Sequence, residues 1–282
     1  MNRKYQSGVD LVARPVTAPC VALLVFLLLP LFGARCRADD NSEIAKQAQN
    51  PVASLISVPF QNNLNFGVGP KSGEQDVLDI QPVVPIQLTS DWNLITRTII
   101  PVVYEPYISP TVGDATGLGD SQLALYLSPA RATDSVIWGI GPAMSFPTAS
   151  ERYLGQGKFS AGISAVALTI RGPWLIGVLM TDMTSVAGEA DRKDVHQYLV
   201  EPFVNFNFPQ GWYLASSPII TANWKSPADN RWTVPVGGGG GKVMKIGNQR
   251  INAYVQAFDN IVRPHEAGNW TLRVQIQLLF PK

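Results

Sequence analysis

The chain has 282 residues, 22 Lys and Arg against 21 Asp and Glu for a net charge of +1, and only two cysteines and two histidines. So even a balance excludes the basic excess of a nucleic-acid-binding protein. Cys20 and Cys36 both lie near the N-terminus, which leaves no disulfide scaffold or thiolate metal site in the rest of the chain.

Residues 1–38 read as an export signal: Arg3, Lys4 and Arg14 precede an apolar core over 20–34, and Cys36-Arg37-Ala38 places small residues at both cleavage-determining positions. Its removal leaves 17 basic against 20 acidic residues, a net charge of −3. Residues 39–58 predict a short helix with an Asn50-Pro51 break, lying under the following domain or entering it as a plug. Residues 59–282 form the main domain. Nothing in it offers the roughly 20 consecutive apolar residues of a membrane helix. The nearest candidate, 161–183, is interrupted by Arg171-Gly172-Pro173, so it reads as a hairpin.

From residue 60 onward the period is two. Segments 60–68, 77–88, 92–102, 120–128, 135–146, 159–169, 174–183, 195–208, 212–224, 232–246, 250–262 and 269–280 each alternate over roughly ten residues, the length a tilted strand needs to cross a bilayer. The last is the most regular. Trp270, Leu272, Val274, Ile276, Leu278 and Phe280 face one way and Thr271, Arg273, Gln275 and Gln277 the other. In 77–88, Leu78, Ile80, Val84 and Ile86 oppose Asp79, Gln81, Val83 and Gln87. Short connections (89–91, 129–134, 171–173, 209–211, 247–249) alternate with longer polar ones (69–76, 104–117, 147–158, 184–194, 225–231, 263–268), and aromatic residues gather at strand ends: Trp92, Trp138, Phe146, Trp174, Trp212, Trp224, Trp232 and Trp270. Together these predict an all-β fold, a transmembrane antiparallel up-and-down β-barrel of about twelve strands, with both termini and the short turns in the periplasm. A soluble β-sandwich would hide its apolar face inside, whereas here the second face is polar enough to line a wet lumen. Pro82, Pro85, Pro101, Pro142, Pro202 and Pro218 each remove a ladder donor and predict bulges.

By alternation Asp79, Arg97, Asp120, Glu201 and Arg273 point inward, where they either pair and stiffen the barrel or set up a field that selects polar solutes. The run Gly237, Gly238, Gly239, Gly240, Gly241 followed by Lys242 is not a phosphate loop, because Val236 and Val243 stand where that motif needs Gly and Ser or Thr. A strand without side chains instead lets the wall bend, or lets a plug or ligand approach its backbone. His196 and His265 are too isolated to predict a metal site, no cofactor is implied, and neither Ser185 with His196 nor His265 with a loop serine carries a hydrolase motif.

The segment NPVASLISVPFQNN at 50–63, VPVGGGGGKVMK at 234–245 and the tail LLFPK resemble, in that order, a family of bacterial outer-membrane proteins labelled for the meta-cleavage pathway of phenol degradation, some of whose members carry the name neuromedin U. The resemblance covers most of the chain after residue 50. It implies a β-barrel that helps aromatic or other hydrophobic compounds cross the outer membrane, and it supplies no binding or catalytic residue to carry over. The expected protein is thus a passive channel or transporter of the Gram-negative cell outer membrane and not an enzyme. Its expected partners are outer-membrane lipid and lipopolysaccharide, the barrel assembly machinery and a small-molecule solute. The alternatives are an outer-membrane enzyme acting on lipid or ester, and a purely structural barrel.

Overall fold

The computed structural model describes residues 38–109, 112–131 and 136–281, without the side chains of 38–40 and 108, so the export signal lies outside the described residues apart from Ala38. One helix, α1 (Ala38–Ala48), precedes fifteen strand segments. These are β1 (Ile56–Val68), β2 (Gly73–Ile80), β3 (Val83–Gln87), β4 (Trp92–Ser109), β5 (Gly113–Leu118), β6 (Ser121–Pro129), β7 (Ile137–Phe146), β8 (Lys158–Arg171), β9 (Trp174–Gly188), β10 (His196–Asn207), β11 (Trp212–Ser216), β12 (Ile220–Asn223), β13 (Trp232–Ile246), β14 (Gln249–Val262) and β15 (Trp270–Phe280). Three neighbouring pairs, β2 with β3, β5 with β6 and β11 with β12, are halves of single interrupted strands on common partners. Counting each pair once gives twelve antiparallel strands. The wall closes where β1 meets β15, from Ile56↔Phe280 to Phe66↔Trp270. Closure matters because a strand edge facing lipid would leave main-chain groups without partners.

The outer face is apolar: Ile140, Ile163, Ile176, Leu214, Val236 and Ile276 are all exposed. Aromatic contacts band it at two heights. Near the short turns, Trp92 meets Trp138 and Trp174 meets Phe206; near the long loops, Phe66 stacks on Trp270 and Trp224 meets Trp232 edge to face. Such rings settle at the headgroup level, so the bands mark the two membrane surfaces.

Three expectations need correction. Residues 104–117 were expected to be a loop but are mostly strand: β4 runs 18 residues and pairs with β5 through Tyr104↔Thr116. That is nearly twice the roughly ten residues a tilted strand spends in lipid, and beyond the membrane neither face has to be apolar. Of the six prolines only Pro101 sits at a register shift, where the pairing of β4 slips by one residue between Ile99↔Gln122 and Val102↔Leu118; the other shifts fall between Phe66/Val68, Glu105/Ser109, Phe159/Ser160 and Val234/Pro235. Pro85, Pro142 and Pro202 stay in register, opposite Ile95, Ile163 and Val178, while Pro82 and Pro218 lie in strand interruptions. The inner face, finally, is wet on one side only. Ile95, Tyr126, Val166, Leu168, Leu175, Leu179 and Phe203 form a buried apolar cluster beneath β4 and β6–β10.

Candidate transport lumen

The short-turn end of the barrel is stopped by the chain's own N-terminal segment. α1 presents Ile44, Ala45 and Ala48 to Ala53, Leu55, Val243 and Leu279. The following strap, 49–55, enters the lumen. Val52 joins the apolar cluster around Ile95 and Tyr126, Gln49 exchanges two amide hydrogen bonds with Asn207 (2.9 and 3.2 Å), and Ser54 accepts from Asn93 at 3.2 Å. Burying Val52 and Leu55 contributes about 1.5–3 kcal/mol each by removal from water. α1 lies by the 209–211 turn, and residues of the strap line a cavity inside the barrel.

Above the strap, alternation carries a polar ladder up the inner face. Tyr254 donates to Gln275 at 2.9 Å and lies 3.1 Å from Gln61; Asn252 accepts from Tyr213 (2.7 Å) and donates to Gln277 (2.9 Å). Arg97 donates to Gln81 at 2.8 Å. Asn63 bridges opposite charges, donating to Asp79 at 3.3 Å and accepting from Arg273 Nε at 3.0 Å. Arg273 also stacks over Phe258, 4.8 Å from the ring centre. Nearer the long loops, Thr271 donates to Asn65, which donates to Gln75, which donates to Glu105. The charges are therefore held by neutral amides, and the salt bridges among the described residues all lie outside the lumen. Amide bonding leaves a guanidinium its charge while fixing its position.

Two cavities flank Arg273. The inner one, about 160 Å³, lies between the strap and the ladder and is lined by Arg97, Glu201, Gln61, Gln81, Tyr254 and Phe203 among others. The outer one, about 280 Å³, opens toward the long loops between Asn63, Asn65, Ile219, Pro235, Phe258 and Arg273. Asp79 faces the lumen at the level of Arg273, opposite Gln61 in register. Asp120 does not join them. It falls in the β5/β6 interruption, where its carboxylate accepts from the Ala149 (3.2 Å) and Gln156 (2.6 Å) amides and pins the 147–157 loop.

The glycine run has a specific job. Inward Cβ atoms at Gly237 and Gly239 would collide with the Ala257 and Val255 carbonyls of β14, and one at Gly241 with the Tyr213 ring and hydroxyl. β13 is thus a bare stripe, drawn close to its neighbours, over which Tyr213 of β11 reaches Asn252 of β14 and Arg273 of β15 reaches the Ser217 carbonyl. The close approach at these glycines is that of the neighbouring strands β11 and β14. Sequence reading missed Asn63, Tyr213, Asn252, Tyr254 and Gln256, although the i, i+2 spacing of 252, 254 and 256 marks them as one face.

The hydrolase pairs find no support in the geometry. His196 Nε2 meets Asp182 Oδ1 at 2.7 Å, whereas the Ser185 hydroxyl meets Asp194 and the Val195 amide. Among the described residues no cluster of three or more His, Cys, Asp or Glu could hold a metal ion.

No family model matches the chain, and no curated protein matches its sequence. Solved structures do match its shape. An outer membrane channel from Pseudomonas putida F1 superposes with a TM-score of 0.60 over 80% of this chain and 94% of that one, at 15% identity. Outer membrane phospholipase A from Escherichia coli covers 86% of this chain and 98% of its own with a TM-score of 0.41 at 12% identity. The fold is that of a twelve-stranded outer-membrane β-barrel.

Proposed function

We propose that this chain is a passive channel of the Gram-negative outer membrane for small solutes, its axial path stopped at the short-turn end by residues 47–55. The carrying observation is the pair of cavities of mixed polar and apolar lining stacked inside a closed barrel, with Arg273 between them. Arg97, Glu201, Asp79 and Arg273 set the field a solute meets, and the apolar half of the inner wall gives uncharged or aromatic solutes a surface to follow. The channel-like fold of the Pseudomonas structure and the resemblance to the phenol-degradation family support uptake of such compounds. Export, insertion by the barrel assembly machinery and contact with lipopolysaccharide follow from that location. A catalytic role has no nucleophile aligned with His196, so transport is favoured over hydrolysis.

The test is single-channel recording of refolded 39–282 in a planar bilayer. Ion-conducting steps support the reading. A barrel that is folded yet passes neither ions nor an uncharged solute overturns it.

A further inference from the structure

At one place the barrel ladder stops on both sides of a strand. Toward β10, pairing ends at Val204↔Ser216 and resumes at Val200↔Ile220. Toward β13 it ends at Ala215↔Gly239 and resumes at Thr221↔Thr233. The register is the same before and after on each side, so nothing has slipped; the bonds between are missing. Carried across, that register sets Pro218 opposite both Pro202 and Val236, and Ile219 opposite Pro235. Three prolines on three adjacent strands remove the donors a ladder would need here.

The other two interruptions are bridged. Gln81 donates to the Pro59 carbonyl (2.9 Å), Thr98 to that of Pro82 (3.1 Å) and Gly119 to that of Pro101 (2.9 Å). Among the described residues, 217–219 make no main-chain hydrogen bond to another strand. Their surroundings are served by side chains instead: Arg273 Nη1 donates to the Ser217 carbonyl at 2.9 Å and Gln256 Nε2 to that of Ala215 at 3.3 Å from inside, and the Ser216 hydroxyl donates to the Gly237 carbonyl at 2.6 Å, bounding the gap at that end. In hydrocarbon an unladdered backbone persists only where protein or lumen water satisfies it. The interruption lies midway between Trp212 and Trp224, the interfacial aromatics of its own strand. The outer cavity ends against it, because Ile219, Thr233 and Pro235 line both.

We infer that the gap between residues 217–220 and 234–236 is a lateral portal, through which an uncharged apolar or aromatic solute held in the outer cavity passes into the membrane hydrocarbon. This rests on the channel reading and adds a route to it. Below the outer cavity the axial path runs past Arg273 and the amide ladder, which favour polar solutes, to the strap that lies across it. Sideways lie Ile219, Pro235 and lipid.

The experiment bridges the gap reversibly. The described residues contain no cysteine, so the outward pair Pro218→Cys with Val236→Cys, which lies across the gap but outside the cavity lining, joined by a short bis-methanethiosulfonate, is a unique closure that a thiol reductant reopens. Intact cells producing the full chain are given N-phenylnaphthylamine, an uncharged fluorophore that brightens in hydrocarbon, and ion conductance is read on the same purified variant. Closure is expected to slow dye uptake at least five-fold, with recovery on reduction and unchanged conductance. A bridge at Leu214→Cys with Gly240→Cys, where the ladder is intact and neither residue lines the cavity, should leave uptake as it was. Equal uptake with the gap open and bridged overturns the portal, as does a parallel fall in dye and ions. So does an open barrel that conducts ions but admits dye no faster than cells lacking it. A barrel that passes neither ions nor dye overturns the channel reading as well. If the first pair does not fold, judged by its heat-dependent gel mobility, the pair Ile220→Cys with Val234→Cys is bridged and read against the same outcomes.

Discussion

Arg273 on β15 donates to the main-chain carbonyl of Ser217 at 2.9 Å, reaching over β14 and the bare glycines of β13 to do so. One side chain thereby ties four adjacent strands and places a fixed positive charge between the two cavities. Arg273→Met should do two things. Losing the partner of a buried carbonyl should lower unfolding stability in detergent by about 2 kcal/mol, measured by urea titration. Losing the charge should shift ion preference toward cations, read from the reversal potential in a salt gradient. An unchanged reversal potential would mean that Arg273 is a brace and not a selector.

The glycines of β13 should respond according to the face on which each lies. Gly239→Val drives its side chain into the Val255 carbonyl inside the wall, whereas a Cβ at outward Gly240 comes no nearer than 3.2 Å to the Tyr213 carbonyl. The expected result is that Gly239→Val loses the heat-modifiable folded band on a gel and Gly240→Ala keeps it. If both fold alike, the close strand approach is not needed for closure.

Residues 60–280 revealed their strands in the sequence because lipid outside and a polar lining inside enforce a period of two along every strand. Trp232 to Ile246 was legible to the residue, despite five glycines. Asp79, Arg97, Glu201 and Arg273 were likewise placed inward by counting. What failed were features that alternation does not encode. Asp120 has the right parity, but the β5/β6 interruption turns it to the loop amides. The apolar inner cluster uses Val166, Leu168 and Phe203, which read equally well as lipid-facing. The partners of Arg273 depend on the glycine stripe bringing β11 close, a relation between strands far apart in sequence.

Opening the plug should enlarge the conductance. Val52 and Leu55 are 5% and 3% exposed, and a carboxylate at either site is expensive to bury without a partner. Val52→Asp combined with Leu55→Asp should expel the strap from the lumen and leave the wall intact. The expected readout is a single-channel conductance several-fold above the parent at equal barrel stability. A parent-like conductance would show that the strap does not limit the axial path.

The long loops should loosen in acid. Arg152 pairs with Asp191 at 2.7 Å and lies 3.6 Å from Glu189, while Arg192 Nε donates to the Gln156 carbonyl at 2.8 Å, so loops 147–157 and 189–195 are clasped together. The hydrogen bond from Arg152 holds the Asp191 carboxyl below its usual range. A carboxyl whose pKa is lowered on folding contributes its stabilisation above the unfolded value, ordinarily about 3.9 for Asp. That contribution fades as pH falls through the lowered value. Hydrogen exchange over the two loops, corrected for intrinsic rates, should therefore be flat from neutral pH to about 4 and speed up below it. Arg152→Ala should show the faster exchange at every pH. Acid-independent exchange in the parent would mean that the bonds from Arg192 to the Gln156 and Gly155 carbonyls hold the loops without the carboxylates.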